Sequence, residues 1–196
     1  GFAALLGLCF LAINYQPLAH VEVWDHLSFG REIASTRTLP RTEPFLPLLK
    51  GVAVSDTSWL AQTVAYLAYS RWGTAALQFL NGLCVIGCFV ALAWYGCRRI
   101  GSIPWTLAGM AMLFVLDWYQ FNILRPQTVG LLCFVLLVIG STARRLQVRD
   151  WVLVPALFAL WANVHGSFLA GLAGMACLTL GRAIDLWRRT GRFAAF

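Results

Sequence analysis

The sequence predicts an all-α, polytopic transmembrane helix bundle of about six spans, with a long first extracytoplasmic loop that contains short interfacial helices. Three observations carry that expectation. The 196 residues are 60% hydrophobic and only 12% charged, whereas soluble domains hold about 25% charged residues. The apolar residues gather into runs near the roughly 20 residues that cross a bilayer. Arg98 with Arg99, Arg144 with Arg145, and Arg188 with Arg189 each follow such a run, and basic residues beside spans mark the cytoplasmic face.

The first run, 1–15, starts without a methionine and is already apolar, so the chain reads as a piece of a longer protein. No charged leader or small-residue cleavage site frames it as a signal peptide. Run 75–96 is a second span, and the shorter run 103–116 is a third, completed at the interface by Trp118 and Tyr119. Run 128–143 is a fourth, opened by Pro126, whose missing N–H costs little in a first helical turn. Run 151–164 is a fifth, also short, and 168–186 a sixth. A re-entrant path for either short run would reverse the sides that follow. With six crossings, the second, fourth and sixth spans end in the arginine pairs, and the N-terminus is cytoplasmic. The third and fifth then close outside, on 117–125 and 163–167.

The hydrophilic stretch 16–73 is the first outer loop. Residues 20–36 and 56–72 read as two helices, the second capped by Ser55 or Asp56. Between them, 38–53 carries Pro40, Pro44, Pro47 and Gly51 and reads as an extended, turn-rich connection. Trp24, Trp59, Tyr66, Tyr69 and Trp72 suit helices lying in the headgroup layer.

The net charge of +7 is topological, because its clusters sit at span ends. It forms no basic stripe of the kind that binds nucleic acid. The six cysteines lie in apolar runs. Cys84 and Cys88 share a helix face, but neither a histidine nor a second cysteine pair completes a zinc set, so they read as packing or lipid-facing residues.

The chemistry-bearing residues gather at the outer ends. On a helix, Glu22, Asp25 and His26 share a face through i, i+3 and i+4 spacing. Two carboxylates that close repel unless a cation sits between them. They suit a general base beside a membrane, a site for Mg²⁺ or Mn²⁺, or simply a solvated helix face. Arg125 opposes the positive-inside trend and calls for a partner, either a lipid phosphate or a carboxylate from Asp117, Glu22 or Asp25. Snorkelling to headgroups is the plain alternative. Asn163, His165 and Ser167 flank Gly166 in a tight outer turn that presents side chains to a cavity, although a lone histidine is commonly structural. Arg31 with Glu32, and Glu43 after Pro40, read equally well as loop-bracing ion pairs.

Several of these residues fall into a familiar order. Glu22, Trp24, Asp25, His26, Leu27, Gly30 and Arg31 are followed by Leu39, Pro40, Glu43, Pro44 and Phe45, then by Ser58, Trp59, Leu60, Tyr66 and Tyr69. This order resembles the first outer loop of bacterial GT-C-type membrane glycosyltransferases, the polyprenyl-phosphate-sugar-dependent mannosyl- and arabinosyltransferase group. Arg125, Pro126 and Gln127, with Trp161, Asn163, His165 and Gly166, look like later marks of the same group. The resemblance runs from Val21 to Ser167. It makes 1–196 the N-terminal part of a GT-C-like transmembrane domain.

The resemblance implies inverting transfer of a sugar from a polyprenyl-phosphate donor to an acceptor hydroxyl at the outer face of a bacterial plasma membrane. The family places an aspartate before the Trp and an aromatic before the His-Leu, where this chain has Glu22 and Asp25, so the base is Glu22 or Asp25. Where the family often has an acid before the Trp-Leu pair, this chain has Ser58. The implied substrate-binding residues are His26, Arg31, Asn122, Arg125, Gln127, Asn163 and His165. No cofactor is required, because a neutralising arginine suffices for a phosphate leaving group, and Mg²⁺ or Mn²⁺ is the compatible addition. The partners are the donor lipid, the membrane and an acceptor (glycan, lipid or protein) whose identity stays open, with no nucleic acid. A transporter or flippase would want charge or broken helices at mid-membrane, and a non-catalytic assembly subunit would use the outer loop only for docking.

Overall fold

Apolar runs rich in Leu and Ala favour helix, and the computed structural model is all-helical over the residues it describes: 2–15, 22–49, 51–99, 101–121, 123–142 and 148–190. The elements are α1 (Phe2–Asn14), α2 (Glu22–Thr36), a 3₁₀ turn (Pro47–Leu49), α3 (Trp59–Trp72), α4 (Thr74–Arg99), α5 (Ile103–Leu116), α6 (Trp118–Phe121), α7 (Gln127–Ser141), α8 (Asp150–Val164) and α9 (Phe168–Thr190). The only strand-like pairing among the described residues is an isolated antiparallel bridge between Thr42 and Ala53.

Helices α4 and α9 are long and apolar enough to cross a membrane, and only 28% and 6% of their most apolar windows are buried. A core helix of a soluble protein would be covered. These instead turn Leu83, Val90 and Trp94, and Leu169, Leu172 and Leu180, outward, an exposed apolar surface of the kind that a membrane or another protein covers. Helices α1, α5, α7 and α8 coincide with the other four expected spans but are shorter apolar helices. The 15 residues of α7 rise about 22 Å at 1.5 Å each, less than the ~30 Å hydrocarbon core.

Helix α4 is the hub, packed against α1, α3, α5 and α7, and α7 passes contacts on to α8 and α9. One buried cluster joins Ile13 of α1 to Val85, Phe89 and Ala93 of α4, with Met110 and Phe121 beyond. A second joins Val23 and Leu27 of α2 to Leu77, and a third surrounds Trp161 with Cys133 and Leu137. Described polar groups concentrate at the two ends of this bundle. At one, Tyr95 and Arg99 meet Thr142, and the Arg182 guanidinium donates to the Ser141 carbonyl. The other end carries α2 and α3. Arg144 and Arg145 lie outside the described residues.

In the loop, α2 begins at Glu22, and residues 16–21 lie outside the description. Helix α3 starts at Trp59, later than expected, and neither Ser55 nor Asp56 caps it. The N-cap position is Ser58, whose hydroxyl makes no capping bond. Asp56 Oδ1 instead accepts the Ser58 N–H at 2.8 Å, an Asx-type turn that competes with helix and delays its start. The connection is held by the bridge and by Glu43, whose Oε1 accepts the Phe45 and Leu46 N–H groups. Glu43 thus braces the backbone, and it forms no ion pair among the described residues. Gly73, at φ 69°, turns α3 directly into α4. Of the five aromatics expected in the headgroup layer, Trp24 and Trp72 are exposed, while Trp59, Tyr66 and Tyr69 are half-buried. The buried part of that set follows from the α2–α3 crossing, where Tyr66 and Tyr69 pack on Val23, Leu27 and Leu77. Cys88 and Cys133 are buried and Cys84 half-buried, all as free thiols.

Candidate functional site

Helix α2 opens with Glu22 and Asp25 in its first turn, where the helix dipole favours negative charge. Arg125 sits between α6 and α7 on a short segment whose neighbours fix it. Ile123 and Phe121 are buried, Asn81 Nδ2 donates to the Phe121 carbonyl at 2.9 Å, and the Thr128 N–H returns to the Arg125 carbonyl at 3.1 Å. From there the guanidinium reaches α2. Its terminal nitrogen donates to Glu22 Oε1 at 2.8 Å, and Nε lies 2.6 Å from Oε2 as an ion-pair contact, although off the line of a hydrogen bond. Of the three acids that could answer Arg125, the fold brings Glu22. Asp25 is exposed on α2.

Behind this pair lies a largely apolar cavity of about 280 Å³ between α2, α3, α4 and α7. Leu27, Ala65, Leu77, Leu80 and Leu124 are among the apolar residues of its wall, and Arg125, His26, Gln62, Asn81 and Thr128 are its polar points. Arg125 and Thr128 also line a smaller cavity, about 160 Å³, with Asp117, Gln120 and Gln127. Arg125 therefore contributes to the walls of both cavities, and the smaller one carries more polar side chains for its size.

His26 is half-buried. Gln62 Nε2 lies 3.3 Å from its Nδ1 and donates to Asp56 Oδ1, also at 3.3 Å. Burial pushes the His26 pKa below the usual imidazole value, against the opposing pull of Asp56, Glu22 and Asp25. His165 is lowered too, by burial first and by His26 second. Asp56 Oδ2 and Gln62 Oε1 are buried without a hydrogen-bond partner among the described residues.

The remaining expected residues fall elsewhere. Asn163 accepts the Trp59 indole N–H on Oδ1 at 2.7 Å, tying α8 to α3. His165 Nδ1 accepts the Ser167 N–H at 3.0 Å and closes the α8–α9 turn. Asn163 braces α8 against α3 and His165 the α8–α9 turn, and neither lines a cavity described above. Arg31 is exposed on α2 and forms no ion pair among the described residues. Asn122 lies outside the described residues. Sequence reading missed Gln62 and Asn81, and took Asp56 only as a cap. Gln62 sits inside an apolar helical run, and its partner His26 is 36 positions away, so no local spacing reveals it.

Glu22, Asp25 and His26 form no cluster of metal-ligand geometry with other described residues. The arrangement can bind an anion at Arg125, hold an apolar chain in the larger cavity and present a carboxylate at the mouth. No family model, curated protein or solved structure matches the chain.

Proposed function

We propose that the protein transfers a sugar from a polyprenyl-phosphate donor to an acceptor hydroxyl at the extracytoplasmic face of a bacterial plasma membrane. It crosses that membrane about six times with its N-terminus in the cytoplasm. The observation that carries this reading is the meeting of Glu22 and Arg125, 103 positions apart, beside a largely apolar cavity. Arginine grips phosphate through paired donors, and the cavity beside it suits the first isoprene units of a lipid tail.

In the proposed step, the donor phosphate displaces Glu22 from Arg125. The freed carboxylate takes the proton of the acceptor hydroxyl as its oxygen attacks the anomeric carbon. The carbon–oxygen bond to phosphate breaks with inversion, and polyprenyl phosphate leaves with its added charge on Arg125. Gln127 and Asp117 line the smaller cavity, and in this reading they contact the sugar or the acceptor. No metal is needed for this step, and an unchanged rate in chelator is expected.

Glu22→Gln should lower transfer to a purified acceptor fraction on the order of 10²–10⁴-fold, the usual worth of a general base. Arg125→Ala should raise KM for the donor, with Arg125→Lys recovering only part because it lacks the planar fork. Normal insertion and normal transfer in Glu22→Gln would remove the assignment. A transporter would instead lose substrate movement across vesicles and show no glycosidic product.

A further inference from the structure

We infer that Asp56 and Gln62 are positioning residues, which hold His26 in the tautomer protonated on Nε2 and so make it a hydrogen-bond donor in the cavity beside Arg125. The inference starts from the Gln62 amide, 5% exposed and in contact with two groups at once. Asp56 Oδ1 is a carboxylate oxygen 3.3 Å from one atom of that amide. A carboxylate oxygen only accepts, so the atom facing it is the NH₂ nitrogen. Turning the amide over would set Oε1 against Oδ1, acceptor against acceptor. Asp56 is itself fixed, because the same Oδ1 takes the Ser58 N–H at 2.8 Å.

The NH₂ group carries two hydrogens. With one directed to Asp56, the second meets His26 Nδ1 at 3.3 Å. Nδ1 must then be the unprotonated nitrogen, and a neutral imidazole carries its proton on the other. Burial keeps His26 neutral at physiological pH, so the tautomer is the state that matters. His26 and Arg125 line the same cavity, and an Nε2–H donor is what an anionic group held by Arg125 can use. That use rests on the proposed donor phosphate. The tautomer does not.

The experiment is ¹⁵N NMR of histidine-labelled protein in lipid nanodiscs at pH 8. The chain has three histidines, and the His26 signals are those lost in His26→Gln. The expected spectrum shows Nε2 protonated and Nδ1 bare. Gln62→Glu places a carboxylate opposite Nδ1 and should put a proton on that nitrogen, as the Nδ1–H tautomer or as the imidazolium that two neighbouring carboxylates favour. Asp56→Asn should keep the native tautomer, because the Ser58 N–H and the Gln62 amide both still demand a carbonyl from it. A native His26 protonated on Nδ1, or no change in Gln62→Glu, overturns the inference whether or not any variant is active.

Farnesyl phosphate binding supplies the second readout. Gln62→Glu should weaken it about tenfold or more, the scale of one hydrogen bond to a charged group, and Asp56→Asn should not. Tautomers as expected with affinity unchanged would overturn the role of His26 toward the anion. Farnesyl phosphate that fails to bind the native protein, with tautomers as expected, would count against the proposed donor and leave the Asp56–Gln62–His26 arrangement standing.

Discussion

Glu22 keeps 54% of its side chain exposed and Arg125 31%, so their ion pair is screened by solvent and contributes at most about 1 kcal/mol to stability. That modest value leaves the contact easy to open, so an anion that offers paired oxygens to the guanidinium can displace the carboxylate. Arg125 was legible in the sequence because a guanidinium at the expected outer start of an apolar run opposes the positive-inside trend. Its partner was not, since Asp117, Glu22 and Asp25 were equal candidates until α2 and the segment before α7 were brought together. His26 and His165 carry a testable consequence of burial. Both pKa values are lowered from 6.5, so the unfolded chain binds more protons than the folded one as pH falls. Their cost is absent above the unfolded value and grows as pH drops below about 6.5. Melting temperature in detergent should therefore fall between pH 7.5 and pH 5, and the fall should be smaller in His26→Gln. An equal fall in that variant would show that His26 is not the group responsible.

Helix α2 is held to α3 at Gly30, where an added Cβ would collide with the Gln62 carbonyl and approach Tyr66 Cβ to 2.9 Å. The close crossing puts His26 within reach of Gln62 and sets the wall of the cavity. Exchanging a helical glycine for alanine ordinarily gains ~0.5–1 kcal/mol. Gly30→Ala should instead lose about 1–3 kcal/mol, the cost of overpacking, and should weaken donor binding. Gly109→Ala, on α5 with nothing within 4 Å of the added carbon, is the control and should be neutral or stabilising. Thermal unfolding of the two variants side by side decides the matter, and stabilisation by Gly30→Ala would refute the close crossing. Existence and type of the longer helices were legible from run length and composition, but Trp118 and Tyr119, expected to complete the third run, form the separate short helix α6. The start of α3 was not, because the Asx turn at Asp56 depends on which acceptor Ser58 finds.

Across the whole molecule, polar groups separate to two ends, with Glu22, His26, Arg125 and Asn163 at one and Arg99, Thr142 and Arg182 at the other. If those ends face opposite sides of a membrane as proposed, a Leu48→Cys variant lacking the native cysteines should react with an impermeant maleimide on intact cells. Native Cys97, exposed beside Arg98, should react only after permeabilisation. The reverse pattern would invert the topology and remove the outer-face site. The linear chain determined the all-helical class, the order of its apolar runs and the end at which its chemistry-bearing residues collect, because composition and charge act through local periodicity and the neighbouring solvent. The fold alone decided that Glu22 answers Arg125, that Gln62 lies between Asp56 and His26, and that Asn163 and His165 brace helices and line neither of the two cavities beside Arg125. The Glu22–Arg125 and Gln62–His26 contacts join segments 103 and 36 positions apart, which only the packing of the helices brings together, so no local pattern in the chain encodes them.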